Sequence, residues 1–169
     1  MIKRFNEFNQ WVSTTTTGQD FNMDYTTDDK VFYGVHTVTV VRDGKSVEAK
    51  AKFDTGARSS SLDFSVAKKL GISERLINKC KELDSIELSK DITKKEQDRI
   101  EKEYTTKLKS QFPEITSVQM SKSSSGFSVR AYIKVTIQYY GNSITTEANL
   151  RDRTGLSCEM LVGLKDMVK

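Results

Sequence analysis

The sequence predicts a single, mainly β domain that is interrupted by a charged helical segment. Apolar and polar residues alternate along several stretches, and short turn sequences join two pairs of them, which is typical of β-hairpins. Residues 73–112 instead are strongly charged and repeat apolar residues at helical spacing. A chain of 169 residues is long enough for one domain with its own core. We therefore expect one β domain over residues 30–169 with a helical insertion.

The first 29 residues are expected to form a helix and a polar linker ahead of that domain. Four apolar or aromatic residues lie at near-helical spacing: Ile2, Phe5, Phe8 and Trp11. The polar run from Ser13 to Gly18 then ends the pattern. The sequence leaves open whether this helix packs on the domain, contacts a partner or acts as a targeting tag.

The first strands of the domain are predicted on either side of a hairpin turn. A stretch rich in Val, Thr, Tyr and Phe over Lys30 to Val41 leads into Arg42-Asp43-Gly44-Lys45, which is a typical turn sequence. The return strand runs from Ser46 to Phe53, with small or apolar residues alternating with charged ones. This hairpin ends directly before Asp54.

Helices are predicted in the middle of the chain. Asp63 to Leu70 has the pattern of a short helix that Gly71 terminates. Residues 73–112 predict a pair of helices with two apolar faces, ended by Pro113. The charges of this pair predict a solvated face, with a partner-binding surface as the alternative.

The last third of the chain predicts strands again. Ile115 to Met120 and Phe127 to Tyr139 flank a serine-rich stretch, Ser121 to Gly126, which we expect to be a flexible tip. The turn Tyr140-Gly141-Asn142-Ser143 leads to a strand over Ile144 to Leu150. The apolar run Met160-Leu161-Val162 and Gly163 precede a last helical turn.

Composition and charge exclude several classes of partner and compartment. The 27 basic and 23 acidic residues give a net charge of +4, which is a mixed surface and does not predict nucleic-acid binding. No stretch approaches the roughly 20 apolar residues of a membrane span, and no apolar leader follows the N-terminus. Cys80 and Cys158 lack paired spacing and are expected to be reduced thiols. We therefore expect a cytoplasmic protein that binds neither nucleic acid nor membrane.

The stretch with the clearest chemical potential is Ala51-Lys52-Phe53-Asp54-Thr55-Gly56-Ala57-Arg58-Ser59-Ser60-Ser61-Leu62. A strand ends here at an acidic residue, a hydroxyl residue and a glycine, where the backbone can turn sharply and present the carboxylate. Two such carboxylates held close together share one proton, because like charges at short range cannot both ionise easily. Such a pair can activate water and protonate a leaving group. The alternative is that Asp54 only forms a turn.

This stretch resembles the active-site loop of retropepsin-like aspartic proteases, with Asp54, Thr55 and Gly56 as the catalytic loop. It is most similar to the ATP-dependent zinc protease family within that superfamily. Two further segments match the family's motifs: Asn149-Leu150-Arg151-Asp152-Arg153-Thr154 and Leu161-Val162-Gly163-Leu164. Leu164 occupies the position where the family usually has Arg.

The resemblance implies a fold and an activity. The fold would be a closed β-barrel of the acid-protease type, in which the strand before Gly163 runs beside the catalytic loop and the serine-rich tip resembles the flap over the substrate. Since the chain has one Asp-Thr-Gly, two copies would have to form a homodimer to pair the Asp54 carboxylates. The enzyme would be an aspartic peptidase that cleaves peptide bonds of a peptide or protein.

The resemblance also implies substrate-binding positions at Ala57, Arg58, Ser60 and Arg153. Some relatives are associated with a glutamate ligase and are thought to trim added glutamates, which implies an acidic or glutamate-rich substrate. The two arginines could grip substrate carboxylates, or could instead form structural ion pairs with Asp54 or Asp152.

The residues do not predict a metal or another cofactor. Zinc sites need clustered Cys, His and carboxylate ligands, and the chain has a single histidine, His36, within a strand. A second function therefore stays open beside the peptidase: a catalytically inactive retropepsin-like binding module that acts through its helical insertion.

Overall fold

The computed structural model of the protein describes residues 34–86, 88–123 and 126–167. The helix and linker predicted over residues 1–29 lie outside the described residues.

Seven strands, three α-helices and one 3-10 turn follow each other along the described residues. The strands are β1 (Gly34–Arg42), β2 (Lys45–Phe53), β3 (Ser61–Asp63), β4 (Ile115–Ser123), β5 (Gly126–Tyr139), β6 (Asn142–Arg151) and β7 (Met160–Val162). The helices are α1 (Phe64–Lys69), α2 (Glu74–Asp84) and α3 (Lys94–Gln111), and the 3-10 turn is Leu164–Asp166.

The structure is mainly β, with one seven-stranded sheet. Its strand order is β1-β2-β7-β3-β6-β5-β4, and β1 also pairs with β5, so six strands close into a barrel while β4 stays at the edge. Neighbouring strands are antiparallel in the β1–β5, β4–β5 and β5–β6 pairs, whereas β3 and β6 run parallel. This confirms the mainly β class and the closed barrel.

Both predicted hairpin turns are present, and their backbone angles explain the turn residues. Asp43 and Gly44 have φ of 49° and 78°, and Tyr140 and Gly141 have φ of 47° and 77°. Two consecutive residues with positive φ are typical of the type I′ turn, whose twist matches that of the flanking strands. Asp and Gly adopt this conformation easily, but it is uncommon for Tyr.

The described residues form two compact units. The first contains residues 34–37, 50–59 and 161–167, and the second contains residues 38–49 and 60–160 apart from the undescribed positions. The largest fully buried side chains belong to the second unit: Leu62, Leu70, Leu76, Ile77, Leu108, Ile115, Ile133, Ile137, Leu150, Met160, Val38 and Val40. The hydrophobic core of the second unit is therefore formed by strands and by all three helices.

The three helices lie in the two segments where the sequence predicted helices, residues 63–70 and 73–112. Each begins at a side chain that caps its first turn: Asp63 for α1, Ser73 for α2 and Thr93 for α3. The apolar face predicted for α2 is buried: Leu76, Ile77, Cys80 and Leu83. Helix α3 buries only Leu108, which leaves its many charges in solvent.

Two local features differ from the expectations. The short strand β3 was not predicted, because three residues show too little alternation to indicate a strand. The serine-rich stretch from Ser121 to Gly126 is not one flexible tip: the β4–β5 register continues to the pair Ser123 and Gly126. Backbone groups form the hydrogen bonds between strands, and polar side chains do not prevent them. The polar composition of this stretch therefore did not indicate where the hairpin ends.

Candidate active site

The Asp54 loop follows directly after β2 and is held by its own backbone. The Gly56 N–H donates a hydrogen bond to Asp54 Oδ1 at 2.8 Å, and the Ala57 N–H donates to the Asp54 carbonyl at 3.1 Å. The Asp54 N–H donates to the Val162 carbonyl at 3.1 Å, which ties the loop to β7. One carboxylate oxygen of Asp54 thus accepts a hydrogen bond within the loop, and the residue is half-buried.

Gly56 lies close to this carboxylate. A Cβ atom at Gly56 would lie 3.1 Å from Asp54 Oδ1, which is tighter than ordinary contact. A side chain at this position would therefore have to displace the carboxylate by a few tenths of an ångström. Thr55 is exposed, and within the described chain no hydrogen bond joins its hydroxyl to another residue.

Gly163 lies against the other end of the loop. A Cβ atom there would be 2.5 Å from the Ser59 carbonyl carbon and 2.7 Å from that of Arg58. The Leu164 N–H donates to the Ala57 carbonyl at 2.8 Å, and the Lys165 N–H donates to the Arg58 carbonyl at 3.1 Å. The segment after β7 therefore runs beside the Asp54 loop in close contact.

His36 is placed by an aromatic contact. Its ring meets the ring of Phe53 edge-on, with centroids 5.3 Å apart. Among the described residues, no group of three His, Cys, Asp or Glu side chains could hold a metal ion. The contact therefore gives His36 a packing role beside the strand that ends at Asp54.

The predicted substrate-binding residues differ in exposure. Ala57 is half-buried and Arg58 is exposed, and both belong to the same unit as Asp54. Among the described residues no ion pair links Arg58 to Asp54, so the structural pairing considered for Arg58 is not formed. The side chain is instead presented to solvent.

Ser60 and Arg153 belong to the second unit and are buried there. The Ser60 carbonyl accepts hydrogen bonds from the backbone N–H of Asn149 at 3.0 Å and from its Nδ2 at 3.1 Å. Arg153 is only 6% exposed, and its Nε donates to the Cys158 carbonyl at 3.0 Å while its Nη1 donates to Ser61 Oγ at 3.2 Å. These contacts favour a structural role for Arg153, and its role in substrate binding stays a prediction.

Asp63 accepts hydrogen bonds from two segments of the second unit, although the sequence indicated only that a helix begins there. Its Oδ2 accepts from the Ser65 N–H at 3.0 Å, and its Oδ1 accepts from the Arg153 N–H at 2.6 Å. Partial burial raises the pKa of Asp63, but hydrogen bonds from Ser65, Arg153 and the helix backbone hold it below its ordinary value. The residue was recognisable as a helix cap, but its bond to a residue 90 positions later in the chain was not.

In the part of the chain that the structure describes, no helix is long and apolar enough to cross a membrane.

Comparison with models of known protein families finds no match to this chain. A search of curated proteins also finds no significantly similar sequence. The function therefore has to be inferred from the site itself.

Proposed function

We propose that this protein is an aspartic peptidase of retropepsin-like fold, active as a homodimer that pairs two Asp54 carboxylates. The observation that supports this most directly is the bond from the Gly56 N–H to Asp54 Oδ1 at 2.8 Å. It holds a half-exposed carboxylate in one orientation at the end of a strand, while the Asp54 backbone is bonded to Val162. A fixed and accessible carboxylate is what a general acid or base requires.

The chemistry follows from placing two such carboxylates at short range. The pair would share one proton, so that one carboxyl is ionised and the other protonated. The ionised carboxylate accepts a proton from water as the water oxygen attacks the peptide carbonyl carbon. The protonated carboxyl supplies the proton that the departing amine nitrogen needs when the C–N bond breaks. No covalent intermediate forms on the protein.

The substrate we propose is an acidic peptide segment. Arg58 is exposed four residues after Asp54, and the chain has a net charge of +4. An exposed guanidinium can bind a carboxylate through two parallel hydrogen bonds. Arg58 would therefore favour glutamate or aspartate side chains in the substrate.

The test combines oligomeric state with cleavage of a pool of unstructured acidic peptides at about pH 5 to 7, where a shared proton is expected. Light scattering should show a dimer, and mass spectrometry should show cleavage products for the native protein. Asp54→Asn should abolish cleavage while circular dichroism stays unchanged. The matched control is Asp43→Asn, since Asp43 lies in an exposed turn and Asn also adopts its conformation. Cleavage retained by Asp54→Asn would contradict the mechanism.

A second function is favoured by the surface of α3. This helix of 18 residues buries only Leu108, and many of its charged side chains are exposed. A retropepsin-like binding module could use that surface to hold a partner without cleaving it. A monomer that cleaves no peptide in the experiment above would favour this function over the peptidase.

A further inference from the structure

Two arginines lie near each other on adjacent strands of the second unit. Arg130 belongs to β5 and Arg151 to β6. The antiparallel pairing of these strands ends at Tyr132 and Asn149, two residues from each arginine, and the two guanidinium charges are close enough to influence each other. Like charges on neighbouring strands repel each other. The arrangement therefore needs a compensating interaction.

The hydrogen bonds within the described chain do not supply that compensation. The Arg130 side chain is 14% exposed, and its Nη1 is buried without a hydrogen-bond acceptor. The nearest carboxylate oxygen, Asp84 Oδ1, lies at 3.8 Å, which is an ion pair but too long for a hydrogen bond. Arg151 Nε is likewise buried without an acceptor. A buried charged donor without a hydrogen-bond acceptor costs free energy, and each of the two guanidinium groups has one such N–H group.

The carboxylates around the two arginines accept hydrogen bonds from other donors. Asp63 accepts from Ser65 and from the Arg153 backbone. Asp152 Oδ1 accepts from the Thr154 N–H at 2.8 Å, and Asp84 accepts from the Asp152 backbone. These acids reduce the net charge of the cluster, but their oxygens do not satisfy the two buried N–H groups.

The electrostatics agree with this geometry. Burial lowers the pKa of Arg130, the nearby Arg151 lowers it further, and Asp84 opposes the shift. Burial also lowers the pKa of Arg153, again with Arg151 as the next cause. Because arginine stays protonated in proteins, the repulsion persists at neutral pH.

We propose that Arg130 and Arg151 form a binding site for a small oxyanion, either a phosphate or a carboxylate. Both ligands present oxygen acceptors that match the planar fork of a guanidinium group. The cluster reaches the surface at the exposed Asp152 and at Asp84, whose side chain is 31% exposed. The site does not include Asp54, so a test of anion binding is independent of the test of the proposed peptidase.

The test is a titration of the full-length protein with inorganic phosphate and, separately, with acetate, at constant ionic strength maintained with chloride. Nuclear magnetic resonance of the arginine Nε–H groups should show saturable shifts at Arg130 and Arg151. Arg99 should not shift, because it is exposed on α3 and already pairs with Glu103 at 3.1 Å. Saturation by phosphate alone assigns a phosphate site, and saturation by acetate assigns a carboxylate site.

Substitutions distinguish binding at this site from nonspecific attraction of anions to the protein surface. Arg151→Gln and Arg130→Gln should each weaken binding about tenfold or more, whereas the matched control Arg99→Gln should leave it unchanged. Asp84→Asn should tighten binding several-fold, because it removes the negative charge nearest to Arg130. If Arg130→Gln fails to fold, Arg130→Lys keeps the charge but loses the fork and should still weaken binding.

Three results would overturn the proposal. Shifts that never saturate with either anion would mean that the buried N–H groups bind water only. Equal affinity in the native protein and in the folded variants at positions 130 and 151 would place the anion elsewhere. Unchanged or weaker binding by Asp84→Asn would show that the anion does not approach Arg130.

Discussion

At the scale of single residues, Gly163 is required because it touches the backbone of the loop that follows Asp54. Its φ is −87°, which any residue can adopt, so the requirement comes only from the space at Arg58 and Ser59. The same reasoning does not apply to Gly141, whose φ is +77° and whose surroundings are open. Glycine is therefore favoured at position 163 by the lack of space, and at position 141 by the backbone conformation.

We predict that Gly163→Ala lowers the free energy of unfolding by about 2–3 kcal/mol, because the added methyl group must displace backbone atoms. Gly141→Ala should cost about 1 kcal/mol, which is the cost of a positive φ for alanine. Urea unfolding followed by circular dichroism measures both. A smaller loss for Gly163→Ala than for Gly141→Ala would contradict the close contact between Gly163 and the loop.

The thiol of Cys80 is a second residue whose behaviour follows from burial. Burial raises the pKa of Cys80 from its ordinary 9.0 to about 12, and the neighbouring Asp84 raises it as well. Thiolate is the reactive form, so the folded protein has almost no reactive Cys80 at neutral pH. The unfolded chain loses this proton near pH 9, whereas the folded chain retains it up to about pH 12. Stability should therefore fall as the pH rises between these values.

We predict that iodoacetamide modifies Cys80 only after the protein is unfolded, as peptide mapping by mass spectrometry would show. Between pH 9 and about 12, the stability of the native protein should fall more steeply than that of Cys80→Ala. Rapid alkylation of Cys80 in the folded protein at neutral pH would show that this burial is incomplete.

At the scale of elements, α3 covers the edge of the sheet with polar side chains. The Val118 N–H donates to Thr105 Oγ1 at 2.9 Å, and the Thr105 hydroxyl donates to the Val118 carbonyl at 3.2 Å. The Met120 N–H donates to Glu101 Oε2 at 2.7 Å. Edge strands expose backbone groups that can pair with other chains, and α3 satisfies these groups on β4. This explains why a helix with one buried residue is held against the sheet.

We predict that Thr105→Val lowers the free energy of unfolding by about 1–2 kcal/mol, because it leaves both backbone groups of Val118 without partners. Thr106→Val is the matched control on the exposed side of the same helix and should change stability little. Hydrogen exchange of the Val118 amide should also accelerate in Thr105→Val alone. Equal effects of the two substitutions would mean that the α3 contact contributes nothing specific.

A similar backbone contact links the segment after α2 to the start of β5. Leu88 and Phe127 exchange two backbone hydrogen bonds at 3.2 and 3.0 Å. Gly126 has a φ of +135°, and a Cβ atom there would meet the Leu88 carbonyl oxygen. The tip of the β4–β5 hairpin is thus tied to the segment between α2 and α3, and no local pattern in the sequence indicated this contact.

At the scale of the whole molecule, the proposed peptidase requires two chains for one active site. We predict that specific activity falls on dilution, because monomers with a single Asp54 cannot form the carboxylate pair. Adding excess Asp54→Asn protein to the native protein should also reduce activity, since mixed dimers lack one carboxylate. Sedimentation velocity over the same concentrations measures the dimer fraction. Specific activity that is independent of concentration while monomers dominate would contradict the shared site.

The local patterns of the sequence determined the elements and the loop. Residue composition predicted the first strand of the first hairpin, and alternation predicted its return strand. The Asp-Gly and Tyr-Gly pairs marked both turns, because turn angles depend on neighbouring residues. Helical spacing predicted the buried face of α2 in the same way. The position of Asp54 at the end of a strand also follows from local sequence.

The tertiary structure alone decided which distant residues meet. It buried Arg153 against Ser61, set Gly163 against Ser59, placed Thr105 on the edge of β4 and brought Arg130 near Arg151. Each of these contacts depends on which strands become neighbours and in what register. A shift of one residue in strand register would turn every side chain to the other face, so no local pattern could have specified them.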